Sequence, residues 1–386
     1  MDTTKFLETK TGTLIPIKIT AGTDYAFIPN PLPKLWEFPQ HLWPRLVEAR
    51  AVLAKLDGIG RTLPHPELLL SPLRRREAIT SSRIEGTYAT AQELMLFEMN
   101  PSEPKSKHDE VNSWKEVANY SNSLAKGTRL LQELPFCSRM IKDLHEVLMS
   151  GVRGQQSRPG EFRDHQVAIG SERRYVPPPP AEMIQCINDL EVFINKHINN
   201  FDPLVLAFMV HYQIEAIHPF SDGNGRIGRV MLSLMVGEWC ELTFPWLYMS
   251  PYFEKHKDEY VENMFKVSSE GAWDKWIGFC LNGTILQAKD AINRCERLCD
   301  LKDNMLKRVR PAKSPRIEQI IHELFSIPIV KVSALHKKLN VTYPTAQADV
   351  DILVKSGVLS LLKEARPKSY FSQEIISIAY DDAPAI

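Results

Sequence analysis

The 386-residue sequence predicts an all-α fold, mainly helical with a small β-hairpin flap, followed by a C-terminal winged helix-turn-helix domain. Three observations lead there. Apolar residues recur at helical spacing through most of the chain, and the one convincing strand pattern is confined to Phe162 through Val176. After a compositional break at Val309-Arg-Pro-Ala-Lys-Ser-Pro315, the chain turns to short helices and then a strand pair.

In order, Pro29, Pro31, Pro33, Pro39 and Pro44 predict an extended arm before residue 45. Leu42, Leu46, Ala49, Leu53 and Leu56 then mark a helix that Gly58 and Gly60 are expected to stop. Further helices are expected at about 68–84, 91–98, 111–125 and 138–149. Gln166 to Val176 reads as two short strands around a Gly170-Ser171 turn, closed off by Pro177 to Pro180, with helices resuming from Met183. Beyond the break, helices at 316–325, 332–339 and 345–355 precede a strand pair around 358–371. This organisation gives an N-terminal arm and helical region at 1–100, a central core at 101–300 and a small C-terminal domain at 314–386.

Composition excludes several classes. With 47 basic and 47 acidic side chains, no overall field draws the chain to nucleic acid or to an anionic membrane. Pro203 to Ile217 is strongly apolar but carries His211, Gln213 and Glu215 and is shorter than the roughly 20 residues a spanning helix needs. It reads as a buried core helix. The N-terminus shows no secretory signal, and the six cysteines lack paired spacing, so a cytoplasmic protein with reduced thiols and no membrane association is expected.

The chemistry concentrates in His218-Pro-Phe-Ser-Asp-Gly-Asn-Gly-Arg-Ile-Gly-Arg229, a loop that leads into a helix. Gly223 and Gly225 allow a sharp turn and close backbone approach to a ligand, and the free N–H groups of the helix start favour an anion such as phosphate. Arg226 and Arg229, three apart, share a helix face and suit a polyphosphate. Asp222 supplies a hard oxygen for Mg²⁺ bridging phosphates, and His218 can accept a hydroxyl proton near neutrality. Taken singly, each of these residues is better explained as ordinary structure. Four functions gathered in so short a segment make chance assembly remote.

That segment resembles, with no departure, the Fic motif HxFx[DE]GNGRxxR. The resemblance implies that His218 is the base for a target Ser, Thr or Tyr hydroxyl, that Asp222 binds Mg²⁺, that Asn224, Gly225 and Arg226 hold the α- and β-phosphates of ATP, and that Arg229 fixes the γ-phosphate. It implies a protein adenylyltransferase that moves AMP from ATP onto a protein target, itself included, with pyrophosphate leaving. Ser250 to Tyr260 looks like the helix that follows the catalytic one in this family, and Ile169, Gly170 and Ser171 look like the tip of its target-docking flap. Upstream, Ser81-Ser-Arg-Ile-Glu-Gly86 resembles the family's inhibitory [ST]xxxE[GN] helix. Ser81 and Glu85 would share a helical face, Gly86 would end the helix, and Glu85 would compete with the γ-phosphate for Arg229.

The C-terminal domain is read as serving protein contact, homodimer formation or target choice in preference to DNA, because Asp349 and Asp351 stand on the expected recognition helix. Basic residues gather instead on the expected wing, at Lys363, Arg366 and Lys368. The competing readings are removal of AMP or transfer of another phosphoryl group at the same site, and a nucleotide-sensing DNA-binding regulator.

Overall fold

A computed structural model of the chain describes all residues except 8, 21, 63–65, 107, 153–157, 313, 363–367 and 382–386. Lys363 and Arg366 therefore lie outside the described residues. Residues 30–39, where most of the prolines stand, form neither helix nor strand, but the segment before them is a hairpin that the reading of an arm does not include. Strands β1 (Gly12–Ile19) and β2 (Gly22–Pro29) pair antiparallel in full register, with Gly12 opposite Pro29 and Ile19 opposite Gly22. The apolar, β-branched run Leu14-Ile-Pro-Ile-Lys-Ile19 favours a strand, and Pro16 is tolerated because β1 is an edge. The prolines that suggested an arm begin only at the last residue of β2.

Helix α1 (Trp43–Thr62) runs through both Gly58 and Gly60. Gly60 lies under the Trp246 ring, where a Cβ would come within 2.2 Å of it, so this glycine serves a close contact and does not end the helix. Next come α2 (Glu67–Ile84), α3 (Ala91–Met99), α4 (Val111–Leu130) and α5 (Ser138–Met149). The expected flap hairpin is reduced to one antiparallel bridge between Ile169 and Tyr175, because a helical turn at Ser171–Arg173 fills its tip. Its returning side lies beside β2, where the Phe27 N–H donates to the Val176 carbonyl at 2.8 Å. Helix α6 (Pro180–His197) starts on its proline, whose fixed φ suits a first helical turn.

Helix α7 (Pro203–Ile217) is capped by Asp202 and buried on nearly every side, as its all-round apolar character requires. It packs against α8 (Asn224–Trp239), and the loop between them carries the motif. Around this pair lie α9 (Ser250–Lys255), α10 (Lys257–Glu270) and α11 (Trp273–Val309). The segment read as a linker holds one helical turn at Arg310–Ala312 and leads from α11 to α12 (Pro315–Leu324).

The C-terminal unit continues with β3 (Ile329–Lys331), α13 (Val332–Lys338), α14 (Tyr343–Lys355), β4 (Ser360–Leu362), β5 (Ser369–Phe371) and α15 (Gln373–Tyr380). Its three strands pair antiparallel in the order β3-β5-β4. The Asp349 carboxylate is buried against Arg316, whose guanidinium donates to both its oxygens at 2.9 and 3.2 Å. This unit is docked on the rest. Helix α15 packs on α11 and α2, Arg294 donates to the Ile378 and Asp381 carbonyls, and Arg75 donates to that of Ser326.

Truncation after residue 312 is expected to leave a folded core of lower stability, because it uncovers the face of α2 and α11 on which α15 packs and strips Arg75 and Arg294 of carbonyl acceptors. A loss of about 2–3 kcal/mol from these partners would lower the melting temperature of so long a core by roughly 3–5 °C, which calorimetry reads. An unchanged melting temperature would show that the docking contributes nothing.

Candidate active site

The motif loop folds around Asn224, whose side chain spans it. Its amide oxygen accepts from the Phe220 N–H and its amide nitrogen donates to the Phe220 carbonyl, both at 2.8 Å. Gly223 precedes the helix at φ 77°, and a Cβ there would meet Met149 Sδ at 2.8 Å, so only glycine fits. His145, from α5, stacks on Phe220 with centroids 3.6 Å apart and closes the loop from below. Its Nδ1 accepts from the Gly160 N–H at 3.0 Å, which leaves Nε2 to donate to the Asp222 carbonyl at 3.0 Å.

His218 ends α7 in the left-handed region, at φ 52° and ψ 61°. A non-glycine residue there costs on the order of 1–3 kcal/mol and persists only where its surroundings hold it. Its N–H donates to Ile214, and its carbonyl accepts from Arg163 Nε at 2.8 Å. Burial holds the imidazole down to about 4, so the ring is neutral through the physiological range. Nδ1 faces the Glu215 carbonyl at 3.4 Å, and donating there leaves Nε2 as the acceptor.

Arg229 is buried and held by three groups. Nε donates to Ser81 Oγ at 2.8 Å, and Nη2 donates to the Ser81 carbonyl at 3.0 Å and to Glu85 Oε1 at 2.7 Å. Glu85 caps the end of α2, and Gly86 follows at φ 84°. Burial acts to raise the Glu85 carboxyl, but the Arg229 guanidinium outweighs it and holds it below the ordinary carboxylate range. A Cβ placed on Gly225 would be 2.3 Å from Glu85 Oε1, so the carboxylate lies against the first turn of α8, at the anion-favouring end. Lys257 caps α2 through the Ile84 carbonyl, and Glu77 ties its middle to Tyr120 and Ser250.

Arg226 points elsewhere. It is buried, donating to Glu116 at 3.3 Å and lying 3.6 Å from Asp222. Glu116 also accepts from the Thr87 hydroxyl at 2.8 Å, which links the motif loop to the chain just past Gly86. The Asp222 side chain is 54% exposed. Among the described residues no cluster of three potential ligands is assembled, so this lone carboxylate at a helix start fits Mg²⁺ brought in on phosphates better than a preformed metal site. A cleft of about 550 Å³ joins these groups: Glu85, His218, Gly225 and Arg229 line it, together with Ile169, Gly170 and Ser171. The site thus combines a neutral imidazole, a helix start carrying two arginines, and a carboxylate occupying the anion position.

Family models match this architecture. Residues 43–129 fit the Fic/DOC family N-terminal domain and residues 135–236 fit the Fic/DOC family domain. The chain belongs to the Fic/DOC family. Among curated relatives of this Fic protein, "Protein adenylyltransferase Fic" of Drosophila erecta is 26% identical over 61% of the chain, and that of Aedes aegypti is 32% identical over 32% of it. The chain spans 47% of the first relative's length and 23% of the second's. A Fic family protein from Desulfovibrio desulfuricans shares the fold at a TM-score of 0.54 and 20% identity, covering 88% of this chain and 98% of that one. Fic-1 from C. elegans does so at 0.53 and 17%, covering 66% of this chain and 73% of its own. No helix described in this Fic protein is long and apolar enough to cross a membrane.

Sequence reasoning missed four contributors: Glu116, His145, Arg163 and Glu215. Each reaches the site from outside the motif or from the buried side of a helix. For His145 a signal existed, a histidine among the apolar positions of α5.

These buried groups predict acid sensitivity. Burial lowers His145 and His218 to about 4 and His211 to about 3, and raises Glu215 to about 7. Between pH 4.5 and 6.5 the unfolded chain therefore gains three histidine protons and the folded state keeps one on Glu215, a net uptake of two on unfolding. The histidine contribution is fully present above the ordinary histidine value, the smaller Glu215 contribution is lost as pH rises toward 7, and below the histidine value net stability falls by about 1.4 kcal/mol per pH unit for each net proton. Calorimetry from pH 7 to 4.5 should show a steep decline in melting temperature; a flat profile would contradict the buried neutral histidines.

Proposed function

We propose that this protein transfers AMP from ATP to Ser, Thr or Tyr hydroxyls of proteins, itself included, and that Glu85 restrains it by competing for Arg229. One observation carries the reading: the Glu85 carboxylate lies against the first turn of α8 and on Arg229, where a phosphate of the donor would otherwise be held. The curated relatives' names support the AMP-transfer part of this reading.

With Glu85 displaced, the N–H groups of Asn224 and Gly225 and the side chain of Arg229 would cradle the phosphates, and Arg226 would join them by turning from Glu116, to which it is bonded here. Bound at Asp222, Mg²⁺ would neutralise charge on the α- and β-phosphate oxygens. His218 Nε2 takes the proton of the target hydroxyl as its oxygen bonds to the α-phosphorus, and the bond to pyrophosphate breaks. The neutral state of His218 supports this role. The flap, with Ile169 to Ser171 along the cleft, would take the target's backbone as an added strand. We read the C-terminal unit as a winged helix-turn-helix for protein contact, since Asp349 on α14 is already neutralised by Arg316 and Asp351 remains on that helix.

ATP labelled at the α- or the γ-phosphate, followed by intact-mass analysis, tests the reaction. The expected product carries the mass of AMP and the α label only. Incorporation of the γ label would overturn AMP transfer, and loss of AMP from a modified protein without any gain would favour the reverse reaction.

A further inference from the structure

We propose that Arg163 is a positioning residue that sets His218 for proton transfer and ties both stems of the flap to it; this rests on the AMP-transfer reading above. Arg163 is 3% exposed. It is far too buried for a surface cation, yet its partners are carbonyl oxygens. Nε donates to His218 at 2.8 Å, Nη1 to His165 at 3.0 Å, and Nη2 to Pro178 and, at 3.5 Å, to Ile217. Its own backbone N–H donates to the Pro219 carbonyl at 3.0 Å.

These acceptors come from three places that must keep register for the reaction. Ile217, His218 and Pro219 form the end of α7 and the strained start of the motif loop. His165 precedes the flap and Pro178 follows it. A single rigid guanidinium fork thus fixes the distance between the base and the edge that would hold the target, and its two contacts on residues 218 and 219 hold the left-handed backbone of His218. No other cation can copy this, because a lysine presents its donors from one point while arginine aims them along separate directions. The phosphate loop itself is closed by Asn224 and His145, neither of which is bonded to Arg163.

Loss of the fork should therefore damage the proton-transfer step and spare nucleotide binding. The test uses the full chain carrying Glu85→Gly, with Arg163→Lys or Arg163→Gln added. AMP incorporation gives kcat and KM for ATP, calorimetry gives the ATP Kd, and ¹⁵N-histidine NMR reports the His218 imidazole. A displacement of about 1 Å in a reacting group can cost on the order of a hundredfold. The expected result is a kcat fall of that order, an ATP Kd within about twofold, and shifted His218 signals beside unmoved His211 signals. Retained kcat with unmoved His218 signals would overturn the proposal, even if the variant melts earlier. So would an equal disturbance of His211 and His218, which marks general loosening. If Arg163→Gln fails to fold, Arg163→Lys, which keeps the charge, carries both readouts. A Glu85→Gly parent that transfers no AMP defeats the functional reading instead, and the imidazole signals still decide the role of Arg163.

Discussion

Replacing Glu85 with glycine is expected to raise AMP incorporation about tenfold, and up to about a hundredfold. Arg229 cannot be fully engaged by the Glu85 carboxylate and by a donor phosphate together. The contact is short, at 2.7 Å, but the Glu85 side chain is 37% exposed, so solvent screening reduces what a charge-assisted bond of about 1.5–3 kcal/mol contributes. Each 1.4 kcal/mol is about tenfold in the competing equilibrium, which places the expectation nearer the lower figure. Arg229 does not swing free when the carboxylate goes, because Ser81 still holds it through its hydroxyl and its carbonyl. Glu85→Gln separates charge from helix-end flexibility and should give part of the gain. Adding Arg229→Ala should abolish most of it. Intact mass against time, at saturating ATP and Mg²⁺, compares the four proteins. Activity at or below wild type in Glu85→Gly, with ATP binding unchanged, would show that Ser81 to Gly86 is an ordinary helix end.

His218→Ala is expected to lose about 10² to 10⁴ of the transfer rate while ATP binding stays close to wild type. Binding survives because the clasp between Asn224 and Phe220 and the bond from His145 to Asp222 do not involve the His218 side chain. Alanine is strained at φ 52°, so His218→Asn, which tolerates the left-handed region, is the companion variant. Both should lose transfer alike. Transfer by either at near the wild-type rate would remove His218 from the mechanism.

Helix positions were legible in the sequence wherever apolar residues recur at intervals of three and four, as in α2, α4 and α5. The loop from His218 to Arg229 was legible because its chemistry is local. Pairings made across the fold were not. β1 and β2 were hidden because prolines that follow the hairpin dominated the reading of the whole N-terminus. Gly60 was misread as a stop because its partner, Trp246, is distant in sequence. Glu116 and Arg163 resemble solvated charges when read in sequence and acquire meaning only once burial and carbonyl or arginine partners are known, while Glu215 was legible as a polar group on a buried helix but not as a wall of the cleft. The turn at Ser171–Arg173, which shortens the flap hairpin, likewise escapes an argument from strand alternation alone.

The close approach of Gly225 to Glu85 sets where hyperactive alleles can arise. Any side chain at position 225 would collide with the Glu85 carboxylate at 2.3 Å and with Arg229 at 2.9 Å, evicting the restraint and obstructing the donor's place in one step. Position 223 is closed as well, by Met149 and by its positive φ. A genetic selection for unrestrained variants should therefore recover lesions at Glu85 and at neighbours that hold the end of α2, and find the Gly223 to Arg229 segment silent.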